Sequence, residues 1–268
     1  MPELGPTQEI VAIGTVSSIY TFGSSHVIKR RPPPSNEFAQ QAFDIEVRAY
    51  KRLGAHRRIA VLSGVTNEGL ILERGECLRT IIQSHNPGTI TQHTRLRWAQ
   101  EAAEGLRYIH SKRIIHADVG CHNLLLDRSG HIRFIDFAGS GIDDEPPLVC
   151  YEWCACAGGS AVSVRTDIFA FGSLLFEIEA GRVPFHEISG TMEMFELMRT
   201  AERRFAAREY PNVEHFLLRH VITRCWDAAY SCMDEVVEDL CRLGDDESNL
   251  SLPTMKPFPS AVLDVRTS

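Results

Sequence analysis

The chain has 268 residues, 44% hydrophobic and 24% charged, which suits a soluble globular enzyme of one large or two small domains. Its formal net charge of -7 and pI of about 5.9 argue against a duplex-binding protein, and no apolar run approaches the roughly 18 residues of a membrane span. The opening MPELGPTQEI does not read as a basic-then-apolar leader, and the eight cysteines are scattered, so reduced thiols in an intracellular protein, cytoplasmic or nuclear, are expected.

In chain order, EIVAIGTVSSIY and SSHVIKR alternate short apolar runs with Gly and Ser, and predict three strands joined by turns. KRRPPPSN is a loop, since Pro32 to Pro34 cannot join regular ladders. Between Asn36 and Leu53 the period becomes helical, with Phe43, Glu46, Val47, Tyr50 and Leu53 three or four apart. IAVLSGV and GLILE predict two more strands. After Gly75 the chain turns helical, and residues 91–110 carry an apolar stripe of Leu96, Ala99, Ala103, Leu106 and Ile109. Two short hairpin-like strand pairs follow, among them the runs 113–115 and 124–126, then an irregular stretch from about 138 to 165. In that stretch Cys150, Cys154 and Cys156 cluster as C-x3-C-x-C, but no second pair at finger-like spacing follows, so zinc is not expected. TDIFAFGSLLFEIEAG is apolar on nearly all faces and predicts a buried helix. More helices finish the chain, and the polar, proline-containing tail, residues 246–268, is expected to be loosely attached. The organisation is a strand-rich half, residues 1–75, and a larger helical half, residues 76–245, with a cleft between them as the natural ligand site.

IIHADVGCHNLLLD, residues 114–127, sets His116, Asp118 and Asn123 between two apolar runs, on a loop held at both ends where reacting groups can be fixed. Lys29 ends a strand, Glu46 sits mid-helix, and Asp136 follows the strand IRFI. This set resembles the eukaryotic-type protein kinase family over about residues 10–243. HVIK resembles the strand-three V-A-I-K with Lys29 as its lysine, and FDIEVRAYKRL is similar to the helix whose Glu pairs with it, here Glu46. HADVGCHN matches H-R-D-x-x-x-x-N in spacing, IDFAG matches the D-F-G site, and DIFAFG resembles the later helix carrying Asp167. AGRVPF and RCW fit later landmarks in the right order.

The resemblance implies an α+β, bilobal protein kinase-like fold. A small β-rich N-lobe carries one main helix, and the larger C-lobe is mostly helical. It implies ATP and Mg2+ as cofactors, a protein substrate, no nucleic acid or membrane partner, and transfer of the γ-phosphate to a protein hydroxyl of Ser, Thr or Tyr. By the same resemblance Lys29 holds the α and β phosphates and Glu46 braces it, Asn123 and Asp136 bind magnesium, and Asp118 orients the hydroxyl. Ile13 and Gly14 belong to the nucleotide loop, Leu72 is the gatekeeper, and Glu73 to Gly75 line the adenine edge. Val27 and Leu125 sandwich the base, with Val27 bulkier than the usual alanine. His116, Phe137 and Tyr50 form a stacked apolar column anchored by Asp167.

The residue chemistry supports the assignment separately. A triphosphate needs a cation, and a carboxylate partner holds a lysine in place. Magnesium takes carboxylate and amide oxygens beside phosphate oxygens, and Asp136 and Asn123 offer one of each. Asp118, five residues before Asn123, can take a hydroxyl proton. Taken singly, Lys29 reads as a solvated strand end, Glu46 as a surface charge, and Asp118 and Asn123 as turn formers. The ordered combination carries the inference.

Several positions depart from the family pattern. The glycine-rich loop is Ile13-Gly14-Thr15-Val16-Ser17-Ser18-Ile19, with one glycine kept. The catalytic-loop arginine is Ala117, which predicts no switch by phosphorylation of the activation segment. The lysine two residues after the catalytic aspartate is Gly120, and His122 stands where tyrosine kinases carry an arginine. D-F-G has become Asp136-Phe137-Ala138, and an alanine resists positive φ, which predicts a restricted flip. No A-P-E is present. Its nearest candidate, Tyr151-Glu152-Trp153, comes early and lacks the proline, and CWDAAYSCMDEV lacks the arginine that would pair with that glutamate. These departures keep open a pseudokinase or nucleotide-binding scaffold of the same fold. The shared H-x-D-x-x-x-x-N and IDF keep open a small-molecule phosphotransferase, against which DIFAFG and RCW weigh.

Overall fold

The computed structural model describes residues 9–14, 17–84, 89–159 and 161–248; Thr15 and Val16 of the glycine loop, the first eight residues and the tail beyond Ser248 lie outside the described residues. The N-lobe is a five-stranded antiparallel sheet in the order β1-β2-β3-β5-β4, made of β1 (Ile10–Ile13), β2 (Ser18–Phe22), β3 (His26–Arg30), β4 (Leu62–Val65) and β5 (Gly69–Glu73). Helix α1 (Glu37–Leu53) crosses from β3 to β4 and starts where the Asn36 side chain accepts from the Ala39 N–H at 3.0 Å. Its buried face includes Ala39, Ala42, Phe43, Glu46, Ala49, Tyr50 and Leu53, the helical spacing that also turns one charged residue inward.

The C-lobe opens with β6 (Glu76–Cys77) and α2 (Leu78–Ser84), two short elements that the apolar period does not distinguish. Helix α3 (Gln92–Ser111) follows, then β7 (Ile114–Ile115), β8 (Leu124–Leu126), β9 (Ile132–Phe134) and β10 (Gly141–Ile142). The two runs flanking the polar loop are strands, but they do not pair with each other. β8 pairs with β9 and β6, while β7 pairs with β10. The loop is therefore held from two sheets, with a 3-10 turn at Cys121–Asn123.

Helix α4 (Val164–Ala180) begins two residues before the apolar run, because the Thr166 hydroxyl accepts from the Ser163 N–H at 2.7 Å. Residues 166–179 are all buried, so α4 is the central post of the lobe. Helices α5 (Met194–Ala206), α6 (Arg219–Trp226) and α7 (Met233–Ser248) complete it. One continuous core links Tyr50 and Leu53 of α1 through Leu106, Phe134 and Phe137 to Phe171 of α4 and Trp226 of α6. Among the described residues no helix is long and apolar enough to cross a membrane.

Candidate active site

Three elements converge on Lys29. Its Nζ lies 2.8 Å from Glu46 Oε2 on α1 and 2.6 Å from Asp136 Oδ1, just past β9. Lys29 is 3% exposed and Glu46 fully buried, so the pairing is obligatory: a lone buried charge would cost several kcal/mol. Burial by itself would depress the lysine, but Asp136 and Glu46 outweigh it and raise the ammonium above its ordinary range. Lys29 in turn holds Asp136 below the usual carboxylate range against its own burial. The Asp136 side chain keeps 40% exposure, so it reaches solvent as well as the lysine.

The β8–β9 hairpin sets the next relation. The Ile135 N–H donates to the Asn123 carbonyl at 3.1 Å, and Leu124 faces Phe134 across the ladder. Asn123 and Asp136 therefore leave the same end of one hairpin. The Asn123 amide nitrogen donates to the Asp118 carbonyl and to Asp118 Oδ2, both at 2.8 Å, which commits its nitrogen and turns its oxygen to other uses. That donor set, one amide oxygen and one carboxylate beside a lysine, fits a hard divalent cation bound with phosphate oxygens.

The loop hangs from Asp167 on α4. Its Oδ2 accepts from the His116 N–H at 2.8 Å and lies 2.9 Å from His110 Nε2. Its Oδ1 accepts from the Ala117 N–H and the Tyr151 hydroxyl, each at 2.9 Å. These bonds hold Ala117 at φ 68, a left-handed conformation costly for alanine. Tyr50 and His116 each pack on Phe137 with ring centroids 5.1 Å apart, the first edge-to-face at 85° and the second tilted at 52°, so the column through the core is made by edge and tilted contacts and not by the expected stacking. The left-handed conformations near D-F-G fall on Asp136 (φ 59) and Gly139 (φ 84), on either side of Ala138, so the alanine carries no strain.

The remaining predicted residues lie on the sheet and the lobe connection. Ile13 ends β1, 74% exposed, and the Gly14 N–H donates to the Ser17 carbonyl at 2.9 Å. Val27 and Leu72 are buried cross-strand partners, and half-buried Leu125 lies on β8. The Glu73 carboxylate is engaged by Arg133 Nε at 3.0 Å, and the Glu73 and Arg74 N–H groups donate to the Val61 and Ser25 carbonyls, each at 3.0 Å. Gly75 approaches β8 so closely that a Cβ would fall 2.7 Å from the Leu126 carbonyl.

The sequence gives no hint of a second cluster behind Asp118. Arg79 on α2 grips both Glu152 oxygens, at 2.7 and 2.6 Å, and both Glu177 oxygens, at 2.6 and 2.9 Å. Glu152, expected to lack an arginine, thus has one from α2. Its Oε2 lies 3.3 Å from His122 Nδ1, and His122 Nε2 lies 3.2 Å from Asp118 Oδ2. Burial would depress this imidazole, but the Asp118 and Glu152 carboxylates outweigh it and push it up to about 10. A further set docks the segment after Asp136 on α1: Arg48 to Glu145 at 2.5 Å and Arg52 to Asp143 at 2.7 Å.

A sequence profile of the protein tyrosine and serine/threonine kinase family matches residues 14–233. The chain is 36% identical over 135 residues to cAMP-dependent protein kinase type 3 of Saccharomyces cerevisiae, covering 47% of this chain and 33% of that protein. It is 26% identical over 156 residues to serine/threonine/tyrosine-protein kinase HT1 of Arabidopsis thaliana, covering 56% of this chain and 39% of the relative. Against probable serine/threonine-protein kinase SIS8 of the same plant, identity is 24% over 242 residues, 83% of this chain and 23% of the relative. The matched stretches thus span well under half the length of these curated relatives.

Proposed function

The chain belongs to the protein tyrosine and serine/threonine kinase family, and on that premise we propose that it transfers the γ-phosphate of ATP, with Mg2+, to a hydroxyl of a protein substrate. The observation that carries this reading is Lys29 buried between Glu46 and Asp136, a costly arrangement that a mere structural scaffold has no need to keep. Lys29 holds the α and β phosphates while Glu46 fixes its position. Asn123 and Asp136 hold the magnesium ion, which when bound neutralises charge on the phosphates. Main chain at Glu73 and Gly75 meets the adenine edge, with Leu72 behind it, and Val27 and Leu125 close on its two faces. Ile13 and Gly14 cover the phosphates from β1. Asp118 orients the acceptor hydroxyl and takes its proton. Positioning and fixed charge supply most of the rate in such a transfer.

The domain reading that goes with this is an N-terminal lobe of residues 1–75 and a C-terminal lobe of residues 76–245. An intracellular, cytoplasmic setting agrees with eight free cysteines and with ATP as donor. The test is label transfer from γ-labelled ATP, with magnesium, to the chain itself and to generic protein acceptors. Wild type transfers label. Lys29→Met, which fills the same space without the charge, loses at least about tenfold. Equal transfer by both proteins would contradict the reading.

A further inference from the structure

The space beside the catalytic carboxylate is filled in an unusual way. Gly120 is extended, with φ -174, so its backbone would accept any residue. A Cβ built on it, however, falls 2.6 Å from both Cε1 and Nδ1 of His122. The His122 ring therefore presents its Cε1–Nδ1 edge to Gly120, in the room that a side chain at position 120 would occupy. Nε2 hydrogen-bonds Asp118 Oδ2 at 3.2 Å, and Nδ1 lies 3.3 Å from Glu152 Oε2 as an ion pair without hydrogen-bond alignment. Asn123 Nδ2 also lies 3.0 Å from Nε2. Glu152 is not free to wander: Arg79 holds it through two short bonds, and Glu177, 3% exposed, holds Arg79 from the far side.

We propose that Glu152, clamped by Arg79, is a positioning residue for phosphoryl transfer: it fixes the His122 ring over Gly120, and through that ring it fixes the Asp118 carboxylate. This rests on the reading of the chain as a kinase and adds to it a residue outside the family's motifs. The physical argument is one of restraint. The Asp118 carboxylate is 31% exposed and sits on a loop, so a solvated rotamer competes with the productive one. A ring trapped between two carboxylates, one of them held bidentately, removes that freedom. Gly120 and the histidine are then a single device, since any side chain at 120 would evict the ring. Glu152 touches no reacting atom; it acts through His122.

The test measures kcat and KM for ATP in four proteins: wild type, Glu152→Gln, Gly120→Lys/His122→Ala, and the triple variant. Glu152→Gln keeps acceptor oxygen for Arg79 and is expected to lower kcat by about 10- to 100-fold, with KM for ATP within about twofold. Its thermal midpoint should stay within about 2 °C of wild type. In the Gly120→Lys/His122→Ala background the ring is gone and a side chain stands in its place, so Glu152→Gln should cost nothing further. An equal loss in both backgrounds would make Glu152 merely structural and overturn the proposal, as would an unchanged kcat in the single variant. If the double variant is itself inactive, the single variant decides: a loss spread over KM for ATP and thermal midpoint overturns the proposal, and a loss confined to kcat supports it. Failure of wild type to transfer label at all would sink the kinase reading and this inference with it. That outcome is distinguishable from an active wild type indifferent to Glu152.

Discussion

At Asp167 one fully buried carboxylate gathers the His116 and Ala117 N–H groups, the Tyr151 hydroxyl and the His110 ring. Burial alone would raise its pKa; the His110 hydrogen bond and charge, with help from His116 and Ala117, outweigh that and hold it below its ordinary 3.8. An acid depressed in the folded state contributes stability that is present above the unfolded value and is lost as pH falls below it. Asp167→Asn should therefore cost about 2–3 kcal/mol at neutral pH in urea denaturation, because an amide cannot accept from every donor there. The gap to wild type should narrow as pH drops through about 3.8. A gap that stays constant down to pH about 3 would contradict this assignment. Asp167 was legible within DIFAFG, but two of its partners were not. His110 lies 57 positions away and Tyr151 16 away, and neither residue type signals a buried acceptor from sequence alone.

Among the elements, β10 pairs with β7, and the acidic run Asp143 to Glu145 reaches Arg48, Arg52 and Arg113. Residues 141–159 contain no Ser or Thr, and their single tyrosine, Tyr151, is buried on Asp167. Carboxylates thus dock this segment on α1 without any added phosphate, which agrees with the loss of the loop arginine at Ala117. Two outcomes follow for label transfer. Phosphatase treatment should leave it unchanged. The double variant Asp143→Asn/Glu145→Gln should lower it several-fold at low salt, and wild type should fall toward the variant as salt rises, because these ion pairs are exposed. Equal rates at all salt concentrations would count against the clamp. The long elements were readable from apolar period, as α1, α3 and α4 demonstrate. β6, two residues long, was not, and α2, seven residues long, was read only as a turn to helix after Gly75 without bounds of its own, since a periodic signal needs more than two turns.

Across the whole molecule, the site straddles the lobes. Lys29 and Glu46 belong to the sheet and helix of the smaller one, and Asp136 reaches them from a hairpin of the larger. This part was readable because five polar residues of fixed type fell in fixed order among the right flanking elements. The replacement built from Arg79, Glu152, His122 and Gly120 was not, because its arginine and glutamate lie 73 positions apart and pair only after α2 and the irregular segment meet. Two of the departures thus find partners in space: Arg79 supplies the arginine for Glu152, and His122 fills the room left at Gly120. The most direct test of the catalytic account is label transfer from γ-labelled ATP by Asp118→Asn beside wild type, with ATP binding measured for both. The account predicts unchanged binding and a loss of transfer of about two to four orders of magnitude. Transfer equal to wild type would contradict the placing of the reaction at this loop.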